Sequence, residues 1–164
     1  MLISDLFSPS KDAEVDTEAE IRTLKAAAID QYFKDRDMPL EGTGMTMVLE
    51  AEKNGLDWRL LAAIAVREST GGKFKCQKAT FSSFGWGSCK INFDSHNEEI
   101  ETVARNLGGN NPKTARYYAD KNVKQILQAY NPPSIVLKYA DQVMAIMNVI
   151  GPEQIILANS LAKS

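Results

Sequence analysis

Glu68 is the side chain whose setting is hardest to explain by stability. It follows an apolar run, Leu60-Leu61-Ala62-Ala63-Ile64-Ala65-Val66, and stands just before Ser69-Thr70-Gly71-Gly72, a sequence that ends helices. A helix C-terminus repels negative charge and burial penalises the ionised form, so both effects favour a protonated carboxyl near neutral pH. That is the state a general acid needs in order to protonate a glycosidic leaving oxygen. The alternative is an ordinary surface glutamate paired with Arg67 or a nearby lysine. Downstream, Phe84-Gly85-Trp86-Gly87 combines glycine-exposed backbone groups with two aromatic faces, which suits sugar rings with hydroxyls at the edge and C–H groups on the face. A tight turn whose aromatics cover the core would read the same way. Tyr130-Asn131, before Pro132-Pro133, could set a phenol and an amide on a rigid turn, where the phenol orients a carboxylate; as a lone feature such a pair is more often just a loop.

Cys76 and Cys89 bracket this glycine- and aromatic-rich stretch. Their spacing is compatible with two free buried thiols or with one bridge, and closing a loop of about 15 residues contributes about 3 kcal/mol in an oxidising compartment. Two cysteines and the single His96 are too few for structural zinc, so no metal and no other cofactor is expected.

These groups need a scaffold, and the apolar spacing supplies a helical one. Residues 1–16 are polar and acidic around Ser8-Pro9-Ser10 and read as a flexible tail or linker. Thr17 with Glu20 forms a capping-box pattern, and Ile21, Leu24, Ala28 and Tyr32 then repeat at helical spacing until Pro39. A short helix around Met45, Val48 and Leu49 closes at Asn54-Gly55, and Asp57 can cap the next one. That next helix, Leu60 to Val66, is apolar nearly all round and is expected at the centre of the core. Between Gly71 and Asp94 the runs Ala79 to Phe84 and Lys90 to Phe93 suggest loop or a small hairpin. Ser95 with Glu98 repeats the capping box, and Ile100, Val103, Ala104 and Leu107 give an amphipathic helix ending at Gly108-Gly109. Shorter helices are expected near Thr114–Tyr118 and Val123–Ala129, then a long one bearing Val136, Ala140, Val143, Met147 and Ile150, with a short terminal helix after Pro152.

The chain of 164 residues, with 44% hydrophobic and 24% charged residues, supports one domain, residues 17–164, behind the tail. A net charge of −2 without a Lys/Arg block gives no drive toward nucleic acid, and no apolar stretch reaches the length of a membrane span. A monomer is expected.

In this order, the buried helix ending in Glu68-Ser69, the Phe84-Gly85-Trp86-Gly87 loop, the helix after Phe93, and Tyr130 before a last helix resemble the lysozyme-like superfamily. The likeness is to bacterial glucosaminidase domains and lytic transglycosylases that cut peptidoglycan, and it covers residues 39–150. It implies a mainly α, lysozyme-like fold with a central buried helix and a small loop or β-hairpin lobe over a substrate groove. It also implies cleavage of β-1,4 bonds between N-acetylated aminosugars, with Glu68 as acid and then base. Tyr130 matches the active-site tyrosine before the final helix. Ser69 belongs to the Glu-Ser step of transglycosylases. The stretch Phe81 to Gly87 is similar to the Asn-Asn-x-Phe-Gly-Ile segment that lines the glucosaminidase groove, which makes Ser83, Phe84, Gly85 and Trp86, with Asn131, the expected sugar contacts.

A two-carboxylate hydrolase needs a partner for Glu68 at a distance that sets the stereochemical outcome. Asp94, just after the groove loop, is the expected candidate, while Glu98 and Glu99 read as capping and exposed helix residues. Without a second carboxylate a single acid remains, as in lytic transglycosylases, where the sugar's own N-acetyl and hydroxyl groups complete the reaction. A peptidoglycan-binding module without turnover, and a purely helical interaction protein, are the readings from other classes. Because peptidoglycan is extracytoplasmic, a Cys76–Cys89 disulfide and a location at the cell envelope or outside the cell are expected, the leader having been removed or lying in a longer parent chain.

Overall fold

A computed structural model describes residues 11–155 and 157. Among them the secondary structure is helical: α1 (Lys11–Lys34), α2 (Gly44–Lys53), α3 (Leu60–Ser69), α4 (His96–Leu107), α5 (Ala115–Tyr118), α6 (Val123–Tyr130) and α7 (Tyr139–Ile150). The mainly α class is thus observed. The first ten residues of the expected tail and most of the expected terminal helix lie outside the described residues.

Two expectations about α1 are corrected. The helix begins at Lys11 rather than at Thr17, whose Oγ1 donates back to the Ala13 carbonyl from within the helix instead of capping it. Its buried face is Ala26, Ile29 and Phe33, not the stripe through Leu24, which is 42% exposed. The reason is that α1 seats only its C-terminal half, on α2. There a β-carbon at Gly44 would run into the Ala26 carbonyl and come within 2.9 Å of the Asp30 carboxyl. The same Asp30 Oδ1 accepts from the backbone N–H groups of Gly42 and Gly44, each at 2.9 Å, so α1 supplies the cap that α2 lacks in its own Thr43.

Helix α3 is the centre of the molecule, with Leu60 through Ala65 fully buried. It packs on α7, α2 and α4. At its start Asp57 Oδ1 accepts from the Arg59 N–H at 2.9 Å, while the Arg59 guanidinium pairs with Asp57 and reaches the Gly151 carbonyl at 3.0 Å. Trp58 Nε1 donates to the Glu153 carbonyl at 3.0 Å, so the segment after α7 is tied to the start of α3. At its other end Thr70 and Gly71 turn left-handed, and Gly71 N–H bonds the Ala65 carbonyl.

Residues 70–95 form a lobe without strands among the described residues. The two runs expected to pair meet where Thr80 faces Asn92 and Phe93, through one backbone bond, the Thr80 hydroxyl and the Asn92 side chain, and no ladder follows among the described residues. A hairpin needs alternation on both arms, and Cys76 bonded to Cys89 instead closes the lobe covalently into a loop. Inside it Phe81, Ser88 and Cys89 hold positive φ, a conformation non-glycine residues adopt only when their surroundings impose it.

Leu61→Ala is expected to lower stability by about 2–5 kcal/mol, whereas Leu24→Ala changes it by less than about 0.5 kcal/mol; urea unfolding followed by circular dichroism distinguishes the two.

Candidate active site

Glu68 occupies the last turn of α3 and is half-buried. Tyr139, the first residue of α7, donates its phenol to Glu68 Oε1 at 2.6 Å. The other carboxyl oxygen faces Gly85, where a β-carbon would stand 3.2 Å from Oε2. Only glycine both takes φ +63° there and leaves that oxygen uncovered. Arg67, the possible ion-pair partner, turns to α7: its Nε donates to Gln142 Oε1 at 2.9 Å and its guanidinium lies over the Tyr139 ring.

Tyr130 ends α6 and donates its hydroxyl to the Phe84 carbonyl in a very short hydrogen bond. Its ring stacks on Tyr139, 6.0 Å between centroids and 10° between planes. Burial raises the pKa of both phenols, and for Tyr139 the bond to Glu68 adds to it, so both stay protonated and act as donors. The aromatic series continues to Trp86, 5.8 Å from Tyr130, and to Tyr118, 6.3 Å from Trp86. Gly85, Trp86, Gly87, Ser88, Tyr118 and Tyr130 line a cleft of about 350 Å³. A larger depression, about 510 Å³, runs along Asp57, Trp58 and Asn122. The latter is larger, but the former shares Gly85 and Tyr130 with the Glu68 cluster, since Gly85 abuts Glu68 Oε2 and Tyr130 stacks on Tyr139, although Glu68 and Tyr139 themselves do not line it.

Of the residues singled out in the sequence, the structure brings together Glu68, Phe84, Gly85, Trp86 and Tyr130. Phe84 contributes through its carbonyl, its ring being fully buried in the core. Ser69 and Ser83 do not face a ligand. Ser69 is buried, donating to the Ala65 carbonyl and accepting from Gly72 N–H, and so turns the chain out of α3. Ser83 is fully buried behind the loop. Asn131 continues α6 by one backbone bond to Leu127 and is not among the residues lining the cleft. Asp94 is exposed, and its N–H donates to Glu98 Oε2 at 2.6 Å; Glu98 N–H in turn bonds Ser95 Oγ at 3.1 Å. Only the backbone of Asp94 is engaged there, and among the described residues its carboxylate makes no hydrogen bond to Glu68 or either tyrosine.

Glu99 corrects the sequence reading outright. Expected as an exposed helix residue, it is fully buried, and its Oε1 accepts from Ser83 N–H at 2.7 Å and Phe84 N–H at 2.9 Å. Burial pushes its carboxyl up to about 7 against the two N–H bonds, which favour the charged form. His96 Nδ1 lies 3.9 Å from Glu99 Oε2, and burial, with Lys75 nearby, lowers the His96 pKa. The signal for Glu99 was in the period, since Glu99, Val103 and Asn106 share the buried face of α4. Tyr139 was missed too, although it stands four residues before the buried Val143.

Among the described residues no cluster of His, Cys, Asp and Glu could hold a metal ion, and no helix is long and apolar enough to cross a membrane. Comparison with protein-family models, with curated proteins and with solved structures finds no match to this chain.

A carboxyl raised by folding from its ordinary 4.5 to about 7 binds a proton more tightly in the folded than in the unfolded state. Its contribution to stability is therefore complete below about 4.5 and lost as pH rises through about 7. Glu99→Gln is expected to flatten this part of the stability–pH curve, as read from thermal midpoints of wild type and variant across that range.

Proposed function

We propose that this chain cleaves β-1,4 bonds between N-acetylated aminosugars of peptidoglycan, with Glu68 as general acid and then general base. The observation that carries the reading is the pairing of one carboxyl oxygen with a protonated phenol and the placement of the other against Gly85, a glycine that also lines the aromatic cleft. Tyr139 holds Oε1, so the proton delivered to the glycosidic oxygen comes from Oε2. Trp86, half-buried, offers a flat face to pyranose C–H groups, with the mostly buried Tyr118 beside it in the cleft wall, and the glycine-flanked backbone offers polar groups to acetamido and hydroxyl substituents.

The single-acid route is favoured because neither carboxyl beside the groove loop is bonded to the Glu68 cluster among the described residues: Asp94 is exposed and is held at the start of α4 by its backbone N–H alone, and Glu99 is buried behind the loop. In that route protonated Glu68 gives its proton to the leaving oxygen as the C1–O bond breaks, and the sugar's acetamido oxygen closes on C1. The Glu68 carboxylate then takes the proton of a hydroxyl on the same sugar, which attacks C1, frees the acetamido group and leaves an anhydro end. Atoms balance without water. The disulfide suits an oxidising location, and we place the activity at the cell envelope.

Wild type should clear a peptidoglycan suspension and release anhydro-ended fragments by mass spectrometry. Glu68→Gln should lower the rate by about 10²–10⁴ with the fold retained, and Tyr139→Phe should cost less, because its ring still packs. Full activity in Glu68→Gln would refute the assignment, and reducing ends in place of anhydro ends would replace the single-acid route with a hydrolytic one.

A further inference from the structure

Glu99 is a buried carboxyl that this reaction does not use. We infer that it is a positioning residue of the cleft: it holds Ser83 and Phe84 so that Gly85 lies against Glu68 and the Phe84 carbonyl meets Tyr130, and its charge state reaches the cleft through that backbone. The effect on turnover rests on the proposed reaction, whereas the hold on the loop does not.

Both N–H donors converge on one oxygen, Oε1, at 2.7 and 2.9 Å. The peptide that carries the second donor leads directly to the carbonyl that Tyr130 engages and to the glycine that abuts Glu68. Among the described residues no other side chain bonds the backbone N–H groups of Ser83 and Phe84. The second oxygen, Oε2, is buried without a hydrogen-bond partner, as are His96 Nδ1 and the hydroxyls of Ser82 and Ser83. Such a group is costly to keep unless its charge state matters or it holds something in place.

An ionised carboxylate accepts two N–H bonds more strongly than a neutral carboxyl, so protonation loosens the segment. The groups that face Glu99 are few. His96 lies one turn away on α4, Lys75 comes from the chain just before Cys76, Tyr130 from α6, and Glu68 lies beyond Gly85 on α3. Helix α2, which also packs on α4, directs Lys53 at Glu101 and Glu50 rather than at Glu99. With His96, whose pKa burial lowers, as the adjacent base and one lysine at longer range, no close cation offsets the burial that pushes the Glu99 carboxyl up to about 7.

The test follows the amide resonances of Ser83, Phe84 and Gly85 across neutral pH by NMR on the full chain, together with kcat and KM on soluble peptidoglycan fragments. In wild type the three amides should shift with a midpoint near 7, and kcat should fall on the acid side with the same midpoint at nearly constant KM. Glu99→Gln keeps a carbonyl acceptor but no titrating charge. Both titrations should vanish, with kcat within about tenfold of wild type. Glu99→Ala removes the acceptor and should cost about a hundredfold in kcat, the scale of a small misplacement at a reacting centre. His96→Gln should move the midpoint without abolishing it. Amide shifts that persist in Glu99→Gln, or that disappear in His96→Gln, would overturn the assignment to Glu99. Titrating amides with a flat kcat profile would overturn the transmission to the cleft. Titrating amides in a wild-type protein that cuts no peptidoglycan would sink the proposed reaction and leave the hold on the loop standing.

Discussion

The hydrogen bond from Tyr139 to Glu68 answers a constraint that α3 creates. A helix buried along its whole apolar length presents, at its last turn, a carboxyl that is half-removed from water and sits at the negative end of the helix dipole. Such a group requires a donor, and α7 delivers one from its first residue. The rest of α7 has to lie along α3 for this to happen, which is why Val143, Met147 and Ile150 are buried and why Arg59 and Trp58 fasten the chain just past Ile150 back to the start of α3. The two ends of the α3–α7 pair are therefore fixed by polar contacts, and the middle by packing.

The same constraint shapes the 70–95 lobe. For Oε2 of Glu68 to remain open, the backbone crossing in front of it must be glycine, and the neighbours of that glycine must be held from behind because no sheet ladder supports them. Three devices do this. The disulfide closes the loop, Glu99 gathers two of its N–H groups, and Tyr130 takes the next carbonyl. Non-glycine residues at positive φ flanking the site show that this conformation is imposed by its attachments rather than preferred by the chain.

Much of this was legible in the residues, and the parts that were not have physical reasons. The apolar run identified α3 and the Ser95–Glu98 pair identified the start of α4, whereas the reciprocal box of Asn122 and Gln125 that opens α6 went unread although it is just as local. Those signals are local, so a sequence carries them. The buried face of α1 was misplaced because Ala26 and Ile29 compete with Leu24 and Ala28 at the same period, and only the docking of α2 decides between them. Glu99 was misread because charge predicts exposure on average, and the two backbone donors that override the average come from a loop sixteen residues earlier. Asp94 directly follows the groove loop in the chain, but its side chain is exposed and its backbone N–H binds Glu98 at the start of α4, a placement that a count of carboxylates does not reveal.

The central claim is that Oε2 of Glu68, past Gly85, is where a glycosidic oxygen is protonated. A crystal structure of the Glu68→Gln variant with a bound peptidoglycan oligosaccharide tests it directly. The account predicts a sugar face on Trp86 and a glycosidic oxygen within about 2.6–3.2 Å of the position-68 side-chain atom that faces Gly85, with Tyr139 still bonded to the other. An oligosaccharide seated instead in the depression along Asp57, Trp58 and Asn122, or one in the aromatic cleft with no glycosidic oxygen near position 68, would contradict it.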